Sequence, residues 1–212
     1  MLHKQSVITI KTVVSIAWKK YIKHCNYNIL MVKYLAVLDF EATCWKDNNN
    51  HEIIEFPTVI VDVESRKIVD QFQTFVKPTI EPILSDFCKE LTTITQEQVD
   101  GGVTLEQALR LHGEFMDKYH DSMFLSCGDW DLKTMLPLDL GQKGLVASNM
   151  YKKWINIKEG FVKMYSLKKR CGMMEMLEIA EVAHQGVHHR GIDDCVNIAN
   201  IAIDLLEMGW TI

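Results

Sequence analysis

Two long apolar-rich runs, EIIEFPTVIVD (residues 52–62) and KIVDQFQTFVKP (residues 67–78), are joined at the polar turn ESRK. A parallel crossover needs about a dozen residues or more, so these runs must fold back on each other as an antiparallel hairpin. A third run, YLAVLDFE (residues 34–41), reads as a further buried strand. Pro57 brings no N–H to a ladder, which predicts a bulge or an unpaired position in the middle run.

Beyond the hairpin the periodicity changes. Thr95 with Gln98 and Thr104 with Gln107 have capping-box spacing, so two helices should begin there. Behind Thr104, the residues Leu105, Ala108, Leu109, His112, Phe115, Met116 and Tyr119 recur at helical spacing and would lay one face on a sheet. MFLSCGDWDLKTML reads as a short strand, a glycine turn and a helix start, and KKWINI as a last strand. GIDDCVNIANIAIDLLEMG closes as a helix, with Ile192, Cys195, Ala199, Ala202 and Leu206 on one face and Gly209 as its stop. The expected fold is α/β: a mixed five-stranded sheet containing an antiparallel hairpin, flanked by helices. With 212 residues, 48% of them hydrophobic and 24% charged, the chain can bury one sizeable core.

Residues 1–31 contain no Asp or Glu, and Asp39 is the first acid of the chain. That shift divides the sequence into an N-terminal extension, 1–31, and a domain, 32–212. Lysines interrupt every apolar run of the opening, which argues against a secretory signal or a membrane span. Its missing acids fit a mitochondrial presequence, but such segments favour arginine and this one has lysine; a dispensable extension fits equally. Six cysteines without a CxxC pair point to free thiols in a reducing compartment, and hence to an intracellular protein, cytoplasmic or nuclear, or mitochondrial if the opening is a presequence. The net charge of -5 excludes holding nucleic acid by bulk positive charge, while leaving room for a local basic face.

Alternation along a strand puts Asp39 and Glu41 on one side, about 6–7 Å apart at the backbone, with Phe40 on the other. Two carboxylates at ~4 Å cost each other roughly 4 kcal/mol at an effective dielectric near 20, so either a proton is kept or a cation sits between them. Asp131 follows Trp130 at a strand-to-helix junction, Asp194 falls in the first turn of the last helix, and His189 precedes it by five residues. Each has an ordinary reading: Asp131 and Asp193 as helix caps, Asp194 as a first-turn acid, a histidine pair as surface loop. Together they supply four acids for a hard cation and one imidazole, whose ordinary pKa near ~6.5 suits proton abstraction.

VLDFEATCW, EIIEFP, LSDFCKELTTITQEQVD, GDWDLKTML, KKWINI and HHRGIDDCVNIANIA, in that order, resemble the DEDDh exonucleases, most closely the branch of three-prime histone-mRNA exonucleases and RNAi-enhancing nucleases. The likeness runs over roughly residues 33–210 and implies an RNase H-like fold. Carried over by position, the family's acids fall on Asp39, Glu41, Asp131 and Asp194 and its histidine on His189. Asp131 is preferred to Asp129 because the family's acid directly follows an aromatic, and His189 to His188 because of the spacing to the last acid. The resemblance implies a 3′→5′ exonuclease, an exoribonuclease by preference, that releases nucleoside 5′-monophosphates from single-stranded RNA or DNA 3′ ends. Two Mg²⁺ ions are implied, with Mn²⁺ as a substitute. Asp39, Glu41, Asp131 and Asp194 would be the metal ligands, Glu41 and His189 the catalytic pair with His189 as general base, and Phe40, Ala42, Thr43, Trp130 and His189 the contacts to substrate. Some relatives carry an additional nucleic-acid-binding module, so stem-loop specificity is not carried over.

A stripe at residues 151–170 gathers Lys152, Lys153, Lys158, Lys163, Lys168, Lys169 and Arg170 around Tyr151, Trp154, Phe161 and Tyr165. Lysines could track phosphates while aromatics stack bases, or the aromatics could be core beneath a solvated basic face. Two rival functions remain: a catalytically idle RNA- or protein-binding module, and a small-molecule phosphoesterase suggested by His184, His188 and His189. Neither a broken acid nor a missing histidine favours the first.

Overall fold

A computed structural model describes residues 32–45 and 51–212, so the acid-free opening lies outside the described residues. The sheet is built from β1 (Tyr34–Leu38), β2 (Glu41–Ala42), β3 (Ile53–Asp62), β4 (Lys67–Phe75), β5 (Ser122–Ser126) and β6 (Trp154–Asn156). β3 and β4 form the expected hairpin, β1 lies antiparallel to β3 on its other side, and β5 and then β6 add in parallel beyond β1. β2 continues β1 along β3 after a two-residue interruption, so the sixth segment lies within the run read as one strand.

Pro57 accounts for that interruption. Leu38 faces Thr58 and Glu41 faces Glu55, a register that leaves Asp39 and Phe40 opposite Pro57 and Phe56. Proline has no N–H to give at this point, so the ladder lapses where the first carboxylate emerges.

Successive β1 residues enter opposite layers, as a period of two requires. Leu35 and Val37 join Val59, Phe161, Ile198 and Ala202 on one face, while Ala36 and Leu38 join Phe56, Leu105, Ala108 and Met135 on the other. The second layer includes α3 (Leu105–Met116), which follows α1 (Asp86–Thr92) and α2 (Gln96–Asp100). Both capping boxes form: Thr95 and Thr104 accept N–H groups from Gln98 and Gln107, whose side chains accept in return. The first layer holds α5 (Ile157–Met164), α6 (Met173–Ile179) and α7 (Gly191–Glu207). α7 presents Cys195, Ala199, Ala202 and Leu206 inward as expected.

After β5 the chain turns through Gly128, at φ 126°, into a π-helical segment, Asp131–Met135, that runs into α4 (Leu136–Lys143). Pro137 cannot give the N–H that a regular turn would need there, and the wider turn carries Asp131 at its start. Because β1 and β5 are adjacent and parallel, the chain leaves both on the same side of the sheet, which brings Asp39 and Asp131 to one edge. Among the described residues, no helix is long and apolar enough to cross a membrane.

Candidate active site

Five segments meet at that edge. Phe40, turned away from the ladder, donates its backbone N–H to Oδ1 of Asp131 at 2.9 Å, which ties the π-helical segment to the strand end. Asp194 is held from its own approach loop: Oδ2 accepts the His189 N–H at 2.9 Å, and Oδ1 lies 3.2 Å from Nδ1 of His188. Ligand atoms of Asp39, Glu41 and Asp194 all lie within 4.8 Å of one another, as do those of His188, His189 and Asp194. His189 adopts φ 65°, a left-handed conformation unusual for a residue with a Cβ.

The last helix starts close against the strand. A Cβ on Gly191 would fall 2.7 Å from the Asp39 carbonyl oxygen and 3.0 Å from the Pro57 ring, so a side chain there would push α7, and Asp194 with it, off the site. Glu55 fixes the same junction from β3. Its carboxylate accepts the Gly191 N–H at 3.1 Å and lies 3.4 Å from Nε of Arg190. Sequence reasoning missed Glu55, although an acid within an otherwise apolar run was a visible signal; its side chain is fully buried.

The acids are held against their own charge. Burial, followed by the neighbouring carboxylates of Asp131, Glu41, Asp194 and Glu55, pushes Asp39 well above the usual carboxylate range. Burial, then Asp194, Glu55 and Asp131, raises Glu41 to about 9. Asp131 rises to about 6 through burial, with the Phe40 N–H and the positive charge of Lys158 pulling the other way. His189 is lowered by burial and by His188, against the opposing pull of Asp194. A divalent cation matches this set: hard oxygen donors, close together, with no lysine or arginine paired to Asp39, Glu41, Asp131 or Asp194 among the described residues.

The other expected contacts divide. Trp130 stays open, 46% exposed, on the rim beside Asp131. Phe40, Ala42 and Thr43 do not offer side chains to a ligand. Phe40 alternates to the far face and packs edge-on against Phe56 at 4.6 Å, and Ala42 is buried in the same layer. Thr43 is fully buried, its hydroxyl accepting the Glu52 N–H at 2.9 Å. Asp129 accepts from the Trp154 indole at 3.0 Å, so it braces β6. In the basic stripe the aromatics belong to the interior: Tyr151 and Phe161 are buried, and Tyr165 stacks on Phe161 at 4.4 Å. Base stacking by Tyr151 and Phe161 is therefore excluded. Lys158 is the stripe cation whose charge reaches Asp131.

Comparison with known proteins then decides the family. A family model described as Exonuclease matches residues 36–202, a span that contains every acid and histidine of the site. The chain belongs to the exonuclease family. This exonuclease-family chain is 40% identical over 184 residues to ERI1 exoribonuclease 3 of Homo sapiens, covering 84% of this chain and 55% of that protein. It is 37% identical over 201 residues to 3'-5' exoribonuclease 1 of Homo sapiens, covering 90% and 57% respectively. The chain thus spans little more than half the length of these curated relatives. It superposes with a TM-score of 0.79 on the nuclease domain of 3'hExo, a DEDDh family member bound to rAMP, at 37% identity over 84% of this chain and 94% of that one. A 3'-exonuclease seen recognising the 3' end of a histone mRNA stem-loop gives a TM-score of 0.80 at 36% identity, over 85% and 84% of the two chains. The mixed sheet with flanking helices is the RNase H-like architecture of these DEDDh exonucleases.

Proposed function

We propose that this chain is a magnesium-dependent 3′→5′ exonuclease, acting by preference on single-stranded RNA and releasing nucleoside 5′-monophosphates. The observation that carries this reading is the meeting of Asp39, Glu41 and Asp194, from two remote segments, with their ligand atoms within 4.8 Å. Asp39, Glu41 and Asp194, with Asp131 steadied by the Phe40 N–H, are the residues that would hold Mg²⁺ or Mn²⁺. When bound, such ions would supply positive charge to stabilise a phosphodiester under attack. His189 takes the proton from the attacking water, and the neutral imidazole favoured by its surroundings is the form able to do so. Asp194, accepting the His189 backbone N–H, sets where that imidazole stands. Exposed Trp130 offers a ring face to the terminal base, and Lys158 a positive charge to a backbone phosphate.

The preference for RNA is supported by the names of the relatives, exoribonucleases in both cases. The test is a panel of 5′-labelled single-stranded RNA and DNA with free and blocked 3′ ends, with Mg²⁺ or with EDTA. Expected is stepwise shortening of RNA with a free 3′ end in Mg²⁺ alone. Equal cleavage of blocked substrates, or cleavage in EDTA, would overturn the reading.

A further inference from the structure

His51, two residues before β3, is a half-buried histidine outside the acid cluster, yet its ring is tied to both flanks of the cleft. On one side its Nδ1 lies 2.6 Å from the carbonyl oxygen of Thr43, a residue just beyond Glu41 in the chain. On the other its ring centroid stands 6.4 Å from that of Trp130, the residue before Asp131, with the two planes at 71°. The anchor is rigid. Thr43 is fully buried, its N–H donates to the Glu52 carbonyl at 2.8 Å and its hydroxyl accepts the Glu52 N–H at 2.9 Å, so the carbonyl that meets His51 cannot turn away without breaking that ladder.

A carbonyl oxygen can only accept, so in the neutral ring the proton lies on Nδ1 and is donated to Thr43. Nε2 is then a lone-pair acceptor, directed by the ring geometry away from Thr43. Unlike a carboxylate, it accepts a hydrogen bond without adding negative charge beside a phosphate.

We propose that His51 reads the ribose of the 3′-terminal nucleotide, its Nε2 accepting a hydrogen bond from the 2′-hydroxyl, and that this contact gives the site its preference for RNA. The inference rests on the proposed function, in which the terminal base lies on Trp130 and the scissile phosphate among Asp39, Glu41, Asp131 and Asp194. Ribose is the part of a nucleotide that joins base to phosphate. His51 holds the matching place in the protein, its ring against the base platform and its Nδ1 on the strand end that carries Glu41. The 2′-hydroxyl is the group that DNA lacks, and it can donate. The side chains of Phe40, Ala42 and Thr43 are packed inward and leave this role open.

The experiment uses the full chain in Mg²⁺ with RNA oligonucleotides that differ only in the last sugar, carrying a 2′-hydroxyl, a 2′-hydrogen or a 2′-fluorine. The terminal phosphodiester is labelled, so that the first cleavage is read alone. Fluorine keeps the ribose-like pucker but cannot donate. Expected for the wild type is a kcat/KM about tenfold higher for the hydroxyl than for either analogue, the worth of one hydrogen bond. His51→Phe keeps a ring against Trp130 and deletes the acceptor, so the three substrates should become equal by a fall in the hydroxyl alone. His51→Ala, which makes no demand on the packing, should level them in the same way. Each ratio is taken within one preparation, so a loss of folded protein cancels. Equal cleavage of the three by the wild type, or a ratio that survives both substitutions, overturns the proposal. A loss shared by all three sugars overturns it too, and assigns His51 to the base. A wild type that cuts none of them would instead refute the proposed function. In that case the thermal shifts caused by AMP and by 2′-deoxyAMP decide the ribose contact: a larger shift with AMP that is lost in His51→Phe and His51→Ala upholds it, and equal shifts in the wild type refute it.

Discussion

Glu52 and Asp139, beside the start of β3, are as deeply buried as Glu41 and Asp131 in the cleft, yet only the first two are given a lysine. Lys143 lies 3.0 Å from Glu52 and 2.6 Å from Asp139. Glu52 also accepts the N–H groups of Thr79, Ile80 and Glu81 at 2.6, 2.9 and 2.8 Å, and Asp139 accepts that of Ile53 at 2.8 Å. Burial pushes both acids up: at Glu52 these donors and Lys143 outweigh it and leave the group below its ordinary value, while Asp139, with a single backbone donor beside Lys143, stays above its own. In the cleft, four acids receive two backbone N–H groups, from Phe40 and His189, and Glu41 rises to about 9. Carboxylates neutralised from within hold the fold together. Those left to repel one another are the acids proposed to hold a cation.

Substitution should separate the groups most sharply. Asp39→Asn or Asp194→Asn is expected to reduce Mg²⁺-dependent shortening of labelled RNA by about a thousandfold or more, roughly 4 kcal/mol of barrier. Lys143→Met should leave the rate per folded molecule unchanged. In urea unfolding the order reverses: Lys143→Met strands two buried carboxylates and should cost about 3–5 kcal/mol. Asp39→Asn should stabilise the metal-free protein, since it removes one partner from the repulsion. A cleft substitution that destabilised the metal-free chain as much as Lys143→Met would break the distinction.

Ligand binding sharpens it further. Mg²⁺ at a hundredfold excess over its dissociation constant should stabilise the wild type by about 2.7 kcal/mol and Asp39→Asn by much less. A further effect is in pH. Glu41 binds its proton more tightly folded than unfolded, so its contribution is complete below its unfolded pKa and is lost as pH rises through about 9. Metal-free stability should therefore drift downward between pH 6 and pH 9, while the stabilisation by Mg²⁺ grows over the same range as the proton ceases to compete. Catalysis by His189, whose pKa is lowered, should persist at pH values below the ordinary histidine range of about 6.5 before failing. Melting curves with Mg²⁺ and with EDTA, and a pH–rate profile, check each sign.

Features legible in the sequence were those that local chemistry dictates. The hairpin followed from a joint too short for a crossover, both capping boxes from residue spacing, and the start of the strand break from Pro57. The meeting of Asp39, Asp131 and Asp194 was legible only through resemblance, because no local rule brings together residues so far apart in the chain. Alternation already placed Phe40 away from the acids, but the inward packing of Thr43, and the choice between stacking and core for the aromatics of the stripe, were hidden for a related reason: which face of a short element is buried depends on partners elsewhere. Tyr151 meets His112 of α3 through a 2.7 Å hydrogen bond, and nothing near Tyr151 in sequence announces it. The short helices α1, α5 and α6 gave too few turns for a clear period, and the π-helical turn at Asp131 has no residue signature of its own.

A crystal soaked in Mn²⁺ and measured at the manganese absorption edge tests the central claim most directly. Anomalous density should stand among Asp39, Glu41, Asp131 and Asp194, with none beside Glu52 and Asp139. A cleft without density at saturating Mn²⁺, or a peak at the Lys143 network instead, would contradict the account.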